Sequence, residues 1–353
     1  VALGLLALAA AAVAAGLPAA AAIAWSRFTA FQLVAQVAFG ELLVASAVVG
    51  WACRRRRRPA RAALGLGAAL LLAAAYVQGY HREPHDLQVR SHDVELRGLP
   101  HDALPLRIAH LSDIQTARVG AYEERALLEA RALAPDLVVF TGDYVQGWDD
   151  ETPRGEMSAF RDLVARVGLR PPLGAFAVKG DVDPPDWRRL FEGTPVTCLE
   201  DEAARVALPG GRTLAVVGLA AGTSHAHTGT PVRQVIARAP RADLQLVVGH
   251  APDFIAAVEP ASFDLALAGH THGGQVVVPF YGPLLLLSRL PRRYAGDVHD
   301  YAAIPIHVSR GIGMERRTAP QVRFLCPPEL CLLTLRPAAA AASRRAGASA
   351  PAE

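Results

Sequence analysis

The chain has 353 residues, a hydrophobic share of 52% and a formal net charge of +3. Six arginines lie between Arg54 and Arg61, so the rest of the chain is slightly acidic, and the basic balance does not signify nucleic-acid binding. The four cysteines, Cys53, Cys198, Cys326 and Cys331, include no CxxC pair. Free buried thiols are the expectation, with a Cys326–Cys331 disulfide as the alternative outside the cytoplasm.

Residues 1–80 are almost wholly apolar apart from the arginine run. Residues 1–25, 28–52 and 62–80 are each long enough to cross a hydrocarbon core of about 30 Å as a helix. Trp25, Phe28, Trp51, Tyr76 and Tyr80 fall near the ends of these segments, where amphipathic rings prefer to sit. The first segment lacks the basic start of a signal peptide and two more spans follow it, so a retained helix is expected. Arg54–Arg58 with Arg61 places the loop between the second and third spans in the cytoplasm. The chain after Tyr80 then lies outside, periplasmic or extracellular, and the N-terminus inside. Glu41 falls within the second span, where a protonated carboxyl bonded to Gln32, Gln36 or a neighbouring helix is the simpler reading and a functional carboxylate the alternative.

Residues 86–336 spread their charges between short apolar runs and read as one α/β domain; residues 337–353 are a low-complexity stretch expected to be disordered. In chain order, Leu106–Leu111 is predicted as a buried strand and Tyr122–Leu133 as a helix ended by Pro135. Asp136–Thr141 is a second strand, Gly155–Val167 a second helix and Gly174–Lys179 a third strand, followed by a short helix led by Pro184. Arg205–Leu219 forms a hairpin about Gly210–Gly211. Leu244–Val248 and Asp264–Ala268 are further buried strands, and Tyr301–Leu335 is β-rich with turns at Gly311, Gly313 and Pro327–Pro328.

The buried strands end in polar residues. Leu106–Ser112 leads to Asp113, Leu137–Gly142 to Asp143, and Phe176–Gly180 to Asp181 and Asp183. Leu244–Gly249 leads to His250, and Leu265–Gly269 to His270-Thr271-His272. Carboxyl ends of strands line the ligand crevice of open α/β sheets. Aspartates and histidines converging there have the chemistry of a metal site, carboxylates bringing negative charge and imidazoles neutral borderline donors.

The order Asp113, Gly142-Asp143, Gly180-Asp181, Gly249-His250 and Gly269-His270-Thr271-His272-Gly273-Gly274-Gln275 resembles the calcineurin-like metallophosphoesterases. The run His270–Gln275 and the ending Val308–Gly313 with Val322–Glu329 are similar to their membrane-anchored bacterial branch. The resemblance covers roughly residues 90–335. It implies a four-layer α/β/β/α sandwich with two mixed sheets, here preceded by about three transmembrane helices. It also implies one or two divalent metal ions, Mn, Zn or Fe, that clamp a phosphoryl group and supply an activated hydroxide. By resemblance Asp143 bridges the metals, Asp113 and His272 hold the first, and Asp181, His250 and His270 the second. Asp143, His250 and His272 are the residues expected to carry catalysis.

The motifs depart from the family at named positions. Gln115 stands where the first motif has histidine; as a metal ligand its amide oxygen is poorer than imidazole. Asp181 stands for an asparagine and can still ligate. Val182 replaces a histidine that contacts the phosphate and assists the leaving group, help typically worth about 10²–10⁴-fold. His225 and His227 in a loop are possible substitutes, against a solvated loop as the simpler reading; His110, inside a strand, reads as structural. The expected function is a metal-dependent phosphoesterase acting on a phosphodiester or pyrophosphate of a phosphorylated small molecule, a lipid head group or a cell-envelope precursor. The competing reading is a non-catalytic, membrane-tethered module of the same fold that binds metal or phosphate ligands; three spans with one buried acid give a transporter little support. Leu284–Leu287 followed by Arg289, Arg292 and Arg293 is expected either to dip toward lipid and grip an anionic head group or to belong to the core.

Overall fold

The computed structural model describes residues 27–97, 99–100, 105–147, 152–226 and 228–338. The first expected span, residues 1–25, the segment 339–353 and His227 lie outside these residues.

Two helical rods open the described chain, spanning Phe28–Arg55 and Pro59–His85, and both are long and apolar enough to cross a membrane. The first consists of α1 (Arg27–Gln36), a π-helical stretch Val37–Leu42 and α2 (Leu43–Arg55); the second begins with α3 (Pro59–Val77) and ends in a π-helical turn Gln78–Arg82 and a 3-10 turn Glu83–His85. Pro59 occupies the first turn of α3, where its missing N–H costs nothing. The arginine run forms the turn between the rods. Gly50 and Gly65 let the rods touch: a Cβ on Gly65 would lie 2.7 Å from the Gly50 backbone. The outer faces carry exposed Val44, Val48, Leu64, Leu70 and Leu71, with Leu70 71% exposed. Glu41 lies in the π-helical stretch and is exposed.

The second rod enters the domain directly, two residues before the first strand. The strands in chain order are β1 (Gln88–Leu96), β2 (Leu106–Leu111), β3 (Leu137–Phe140), β4 (Ala175–Val178), β5 (Val196–Leu199), β6 (Glu202–Ala207) and β7 (Thr213–Gly218). They continue as β8 (Leu244–Val248), β9 (Leu265–Ala268), β10 (Val277–Val278), β11 (Gly282–Pro283), β12 (Asp297–Tyr301), β13 (Ile304–Val308) and β14 (Glu329–Pro337). One six-stranded sheet has the order β1-β14-β2-β3-β4-β5, the other β12-β13-β9-β8-β7-β6, and β10-β11 is a small ribbon. Both large sheets are mixed: β2 to β5 run parallel and β14 is antiparallel to β2, while β7, β8, β9 and β13 run parallel between antiparallel β6 and β12.

The inner faces of the sheets pack Ile108, Val139, Val178, Val216, Leu246, Leu267 and Leu333 against one another. Beyond the first sheet lie α4 (Ala121–Ala132) and α5 (Thr152–Val167), sealing Leu127, Phe160, Trp187 and their neighbours. Beyond the second lie α7 (Gly229–Arg238), which follows the single turn α6 (Ala221–Ser224), and a 3-10 segment over Val232, Phe254 and Ile255. The layers are therefore α/β/β/α. The expected elements occur within a few residues of their sequence bounds, except that the helix led by Pro184 is a 3-10 turn at Trp187–Phe191. All four cysteines are free, so the Cys326–Cys331 disulfide is not formed. The expected tail boundary moves outward: Pro337 is still paired, with Leu96.

Candidate metal centre

Parallel strands β2, β3, β4, β8 and β9 all end at one edge of the sandwich. Each chain turns sharply there: Asp113, Gln115, Asp143, His270, His272 and Gln275 all have positive φ, between 38° and 69°. Such conformations cost of order 1–3 kcal/mol each in a non-glycine residue and persist where the surroundings over-determine them. At Asp143 the determinant is Asp183, whose carboxylate accepts the N–H groups of Asp143 (2.8 Å), Tyr144 (2.8 Å) and Gly180 (2.7 Å). At Asp113 the carboxylate accepts the His270 N–H at 3.0 and 3.1 Å and the Ser112 hydroxyl, tying the ends of β2 and β9 together. Gly269 makes that approach possible, since a Cβ there would overlap Ser112 Oγ and the Asp113 carboxylate.

Asp143, Asp181, His250 and His270 meet: one ligand atom from each lies within 4.8 Å of the others. His250 Nε2 is 3.3 Å from Asp143 Oδ2 and 3.3 Å from Asp181 Oδ1. His270 Nδ1 lies 3.2 Å from His250 Nε2 and 3.5 Å from Asp181 Oδ2. His250 Nδ1 is 2.7 Å from the Thr141 carbonyl, so Nδ1 donates there and Nε2 is the nitrogen turned to the cluster. Against burial, Asp143 and then Asp181 hold the ring well above its ordinary range, and a bound cation would take the place of that proton. On the other side, His272 Nε2 lies 3.7 Å from Asp113 Oδ1. Gln115 Nε2 donates to Asp143 Oδ2 at 3.1 Å, which leaves Oε1 buried and without a partner. The seven residues expected as ligands thus share one edge, four as a tight group and Asp113, His272 and Gln115 beside it.

The donor set fits a divalent cation. Both ring nitrogens of His272 are buried without a hydrogen bond, as is Gln115 Oε1, and such orphaned groups are costly unless something binds them. Burial, then Arg323, holds the His272 imidazolium well below its ordinary range; burial, then His250, lowers His270 to about 3. Both therefore stand as neutral imidazoles, the form that binds metal. Burial also raises the carboxyls of Asp143 and Asp113, the latter to about 6. A bound cation reverses that tendency by favouring the carboxylates.

Two residues of the site, His225 and Glu315, were not resolved by sequence pattern. His225, in the turn after α6, places its ring 4.7 Å from that of His270 and Nε2 3.9 Å from Asp181 Oδ2, so its loop is not simply solvated. Its Nδ1 is 2.8 Å from the Ala221 carbonyl, which directs Nε2 at the cluster. Glu315 touches Gln115 at 3.4 Å and Gln146 at 3.0 Å across a separation of 200 residues from Gln115, and no motif announces it. Val182 has no polar side chain, but its N–H donates to Asp143 Oδ1 at 3.1 Å. His110 is structural in the expected sense: buried, with both ring nitrogens hydrogen-bonded.

The edge opens toward the apolar rods. Phe28 and Phe31 of α1 line a cleft together with His272, Gln275, Leu285, Leu287 and Glu315. An adjoining apolar cleft runs between Phe31, Val34, Phe39 and Tyr80 of the rods and Leu284 and Phe324 of the domain. Leu284–Leu287 is therefore not core: these residues are half-buried or exposed at the junction, with exposed Arg289, Arg292 and Arg293 beside them.

The calcineurin-like phosphoesterase family model matches residues 106–274, the stretch that supplies every strand-end residue above. The metallophosphoesterase YkuE of Bacillus subtilis is 26% identical over 291 residues, covering 80% of this chain and 97% of the relative. Phosphodiesterase YaeI of Escherichia coli is 29% identical, covering 66% and 83%. The UDP-2,3-diacylglucosamine pyrophosphatase LpxG of Chlamydia trachomatis is 23% identical, covering 76% and 97%. With its two mixed sheets, its strand-end cluster and these relatives, the chain belongs to the calcineurin-like phosphoesterases, hydrolases of phosphoric esters that use divalent metals.

Proposed function

We propose that this protein is a membrane-anchored metallophosphoesterase that hydrolyses a phosphodiester or pyrophosphate in a lipid-linked substrate, with its catalytic domain on the periplasmic or extracellular face. The observation that carries the reading is the cluster of Asp143, Asp181, His250 and His270, flanked by His272, which itself lines a cleft with Phe28 and Phe31. The arginine turn supports the orientation, because the domain lies at the opposite end of the rods from Arg54–Arg58. YaeI and LpxG, by name a phosphodiesterase and a pyrophosphatase of a diacylated sugar nucleotide, support the reaction class.

Asp143, Asp181, His250 and His270 would hold one cation, and Asp113, His272 and Gln115 Oε1 a second, with Asp143 shared. Bound metal supplies Lewis-acid stabilisation of the phosphoryl oxygens and lowers the pKa of water enough to give a nucleophile near neutral pH. The protein's part is positional. Asp183 fixes the Asp143 turn, and Gln115 Nε2 orients the Asp143 carboxylate. His250 is held by the Thr141 carbonyl with Nε2 inward. His225 Nε2, turned toward the cluster, is placed to pass a proton to the departing oxygen, the task for which Val182 has no group. The apolar clefts exclude water and accept acyl chains, while Arg289, Arg292 and Arg293 offer charge to an anionic head group.

The test uses the full chain in detergent, assayed against a bis-aryl phosphodiester with Mn²⁺ or Zn²⁺. Metal-dependent turnover that disappears in Asp143→Ala is expected. Stoichiometric metal binding without turnover above background, on this or on an acylated diester in mixed micelles, would instead establish the non-catalytic module and overturn the proposal.

A further inference from the structure

A second group of metal-binding side chains lies between the sheets, away from the catalytic edge. His92 of β1, His307 of β13 and Cys331 of β14 each offer a ligand atom, and these atoms lie within 4.8 Å of one another. His307 and Cys331 are fully buried and His92 is half-buried. Both sheets contribute: β1 and β14 belong to the first, β13 to the second. Glu329 lies two residues before Cys331 on the same face of β14; it is fully buried, with Oε1 3.4 Å from His307 Nε2. Its Oε2 faces Arg90 and Arg310, each at 3.6 Å.

A hydrogen-bond chain ties His307 to the ends of β2 and β3. The Ser112 hydroxyl donates to Asp113, and Thr141 Oγ1 donates to Ser112 Oγ at 2.5 Å. Thr141 Oγ1 must then accept from His110 Nε2, 2.9 Å away. His110 Nδ1 and His307 Nδ1 lie 2.8 Å apart, so one of them donates to the other. The remaining His307 nitrogen, Nε2, is buried without a hydrogen bond, and so are His92 Nε2 and Glu329 Oε2. Glu329 already faces Arg90, Arg310 and His307, but His92 Nε2 and His307 Nε2 are buried nitrogens without hydrogen bonds, and such orphaned groups are costly unless something binds them. A proton on His307 Nε2 would satisfy Glu329 but leave His92 Nε2 unexplained.

We propose that His92, His307 and Cys331, with Glu329 as an oxygen donor, form a second metal site for a thiophilic divalent cation such as zinc, distinct from the catalytic centre. The donors suit zinc, which binds thiolate sulfur, imidazole nitrogen and carboxylate oxygen tetrahedrally. Ligand atoms around tetrahedral zinc stand about 3.5 Å apart, so the trio must close by roughly an ångström. His92, on the edge strand β1, has room to move. His307 Nδ1, already committed to His110, supplies the orienting hydrogen bond that metal-bound imidazoles characteristically have. The site would cross-link the two sheets, and the chain His307–His110–Thr141–Ser112 would connect it to Asp113.

The experiment strips the full-length protein of metal under reducing conditions and titrates it with Co²⁺. The catalytic cluster contains no thiolate, so a near-ultraviolet thiolate-to-cobalt charge-transfer band reports the second site alone. The band is expected in the wild type and in Asp143→Ala, and is expected to vanish in Cys331→Ser and to vanish or shift in His92→Ala. His92→Ala leaves the buried core intact, so it remains informative where Cys331→Ser fails to fold. Cys326→Ser, at the other buried thiol, is expected to keep the band. A wild type without the band at saturating cobalt overturns the proposal. So does a band that survives Cys331→Ser, is unchanged in His92→Ala, or is lost in Cys326→Ser. None of these results bears on phosphodiester turnover, which tests the catalytic reading separately.

Discussion

The buried carboxylate of Glu83, at the end of the second apolar rod, accepts the backbone N–H of Cys326. Cys326 in turn directs its thiol to the His272 carbonyl at 3.4 Å, and Arg323, whose N–H donates to the Gly79 carbonyl at 2.9 Å, spans the same joint. The rod is therefore tied, through Cys326, to the loop that carries a candidate metal ligand. Glu83→Ala leaves the Cys326 N–H buried and unpaired, a loss of about 1–3 kcal/mol. A lower midpoint of thermal unfolding and faster tryptic cleavage between Arg82 and Arg90 are expected. An unchanged midpoint would show that the joint does not depend on this contact.

His225→Ala separates proton donation from metal chemistry. With an alkoxide leaving group kcat is expected to fall about 100-fold, within the range for general acid assistance. With p-nitrophenolate, which departs unaided, the loss should be under about threefold by the same argument. Equal losses on both substrates would assign His225 to metal retention instead.

Gln115→His replaces an amide oxygen with an imidazole at the weaker half of the centre. The Mn²⁺ concentration giving half-maximal activity is expected to fall about tenfold. The variant also removes the amide that donates to Asp143 Oδ2, so a rise in that concentration would identify orientation of Asp143 as the larger contribution.

Metal binding should be visible as stability. Ligand at about 100 times its Kd stabilises by about 2.7 kcal/mol. For a domain of this size that corresponds to roughly 5–10 °C in Tm. Chelation should reverse the shift, and Asp143→Ala should abolish the part due to the catalytic cluster. A Tm indifferent to metal would count against both proposed centres.

Arg292 stacks on Tyr281, 4.2 Å from the ring centroid, and donates to its hydroxyl at 2.6 Å. The paired change Arg292→Ala with Arg293→Ala is expected to raise KM for an anionic acylated substrate about tenfold at constant kcat, the pattern of lost uniform binding. A soluble aryl diester should be unaffected.

What the sequence reveals depends on how local each signal is. Asp113, Asp143, Asp181, His250, His270 and His272 each follow a short apolar strand, and parallel strands in one sandwich end at a common edge, so the cluster was legible. His225 was ambiguous because nothing in a loop sequence fixes its direction; the Ala221 carbonyl does so in three dimensions. Glu315 was silent because its meeting with Gln115 follows from tertiary packing. His92, His307 and Cys331 escaped notice for a related reason: three strands from two sheets contribute one residue each, and no two lie close in sequence.

Only Asp86 and Leu87 separate the 3-10 turn at the end of the second rod from β1. That is too short a tether for the catalytic domain to swivel about its anchor. With the rods seated in a bilayer, the metal centre would stand at one height and tilt above the surface, like a blade on a fixed mount. Substrate selection would then act partly as a measurement of length: a head group whose scissile phosphorus projects to that height is presented to the metals, whereas a longer or shorter one arrives out of register.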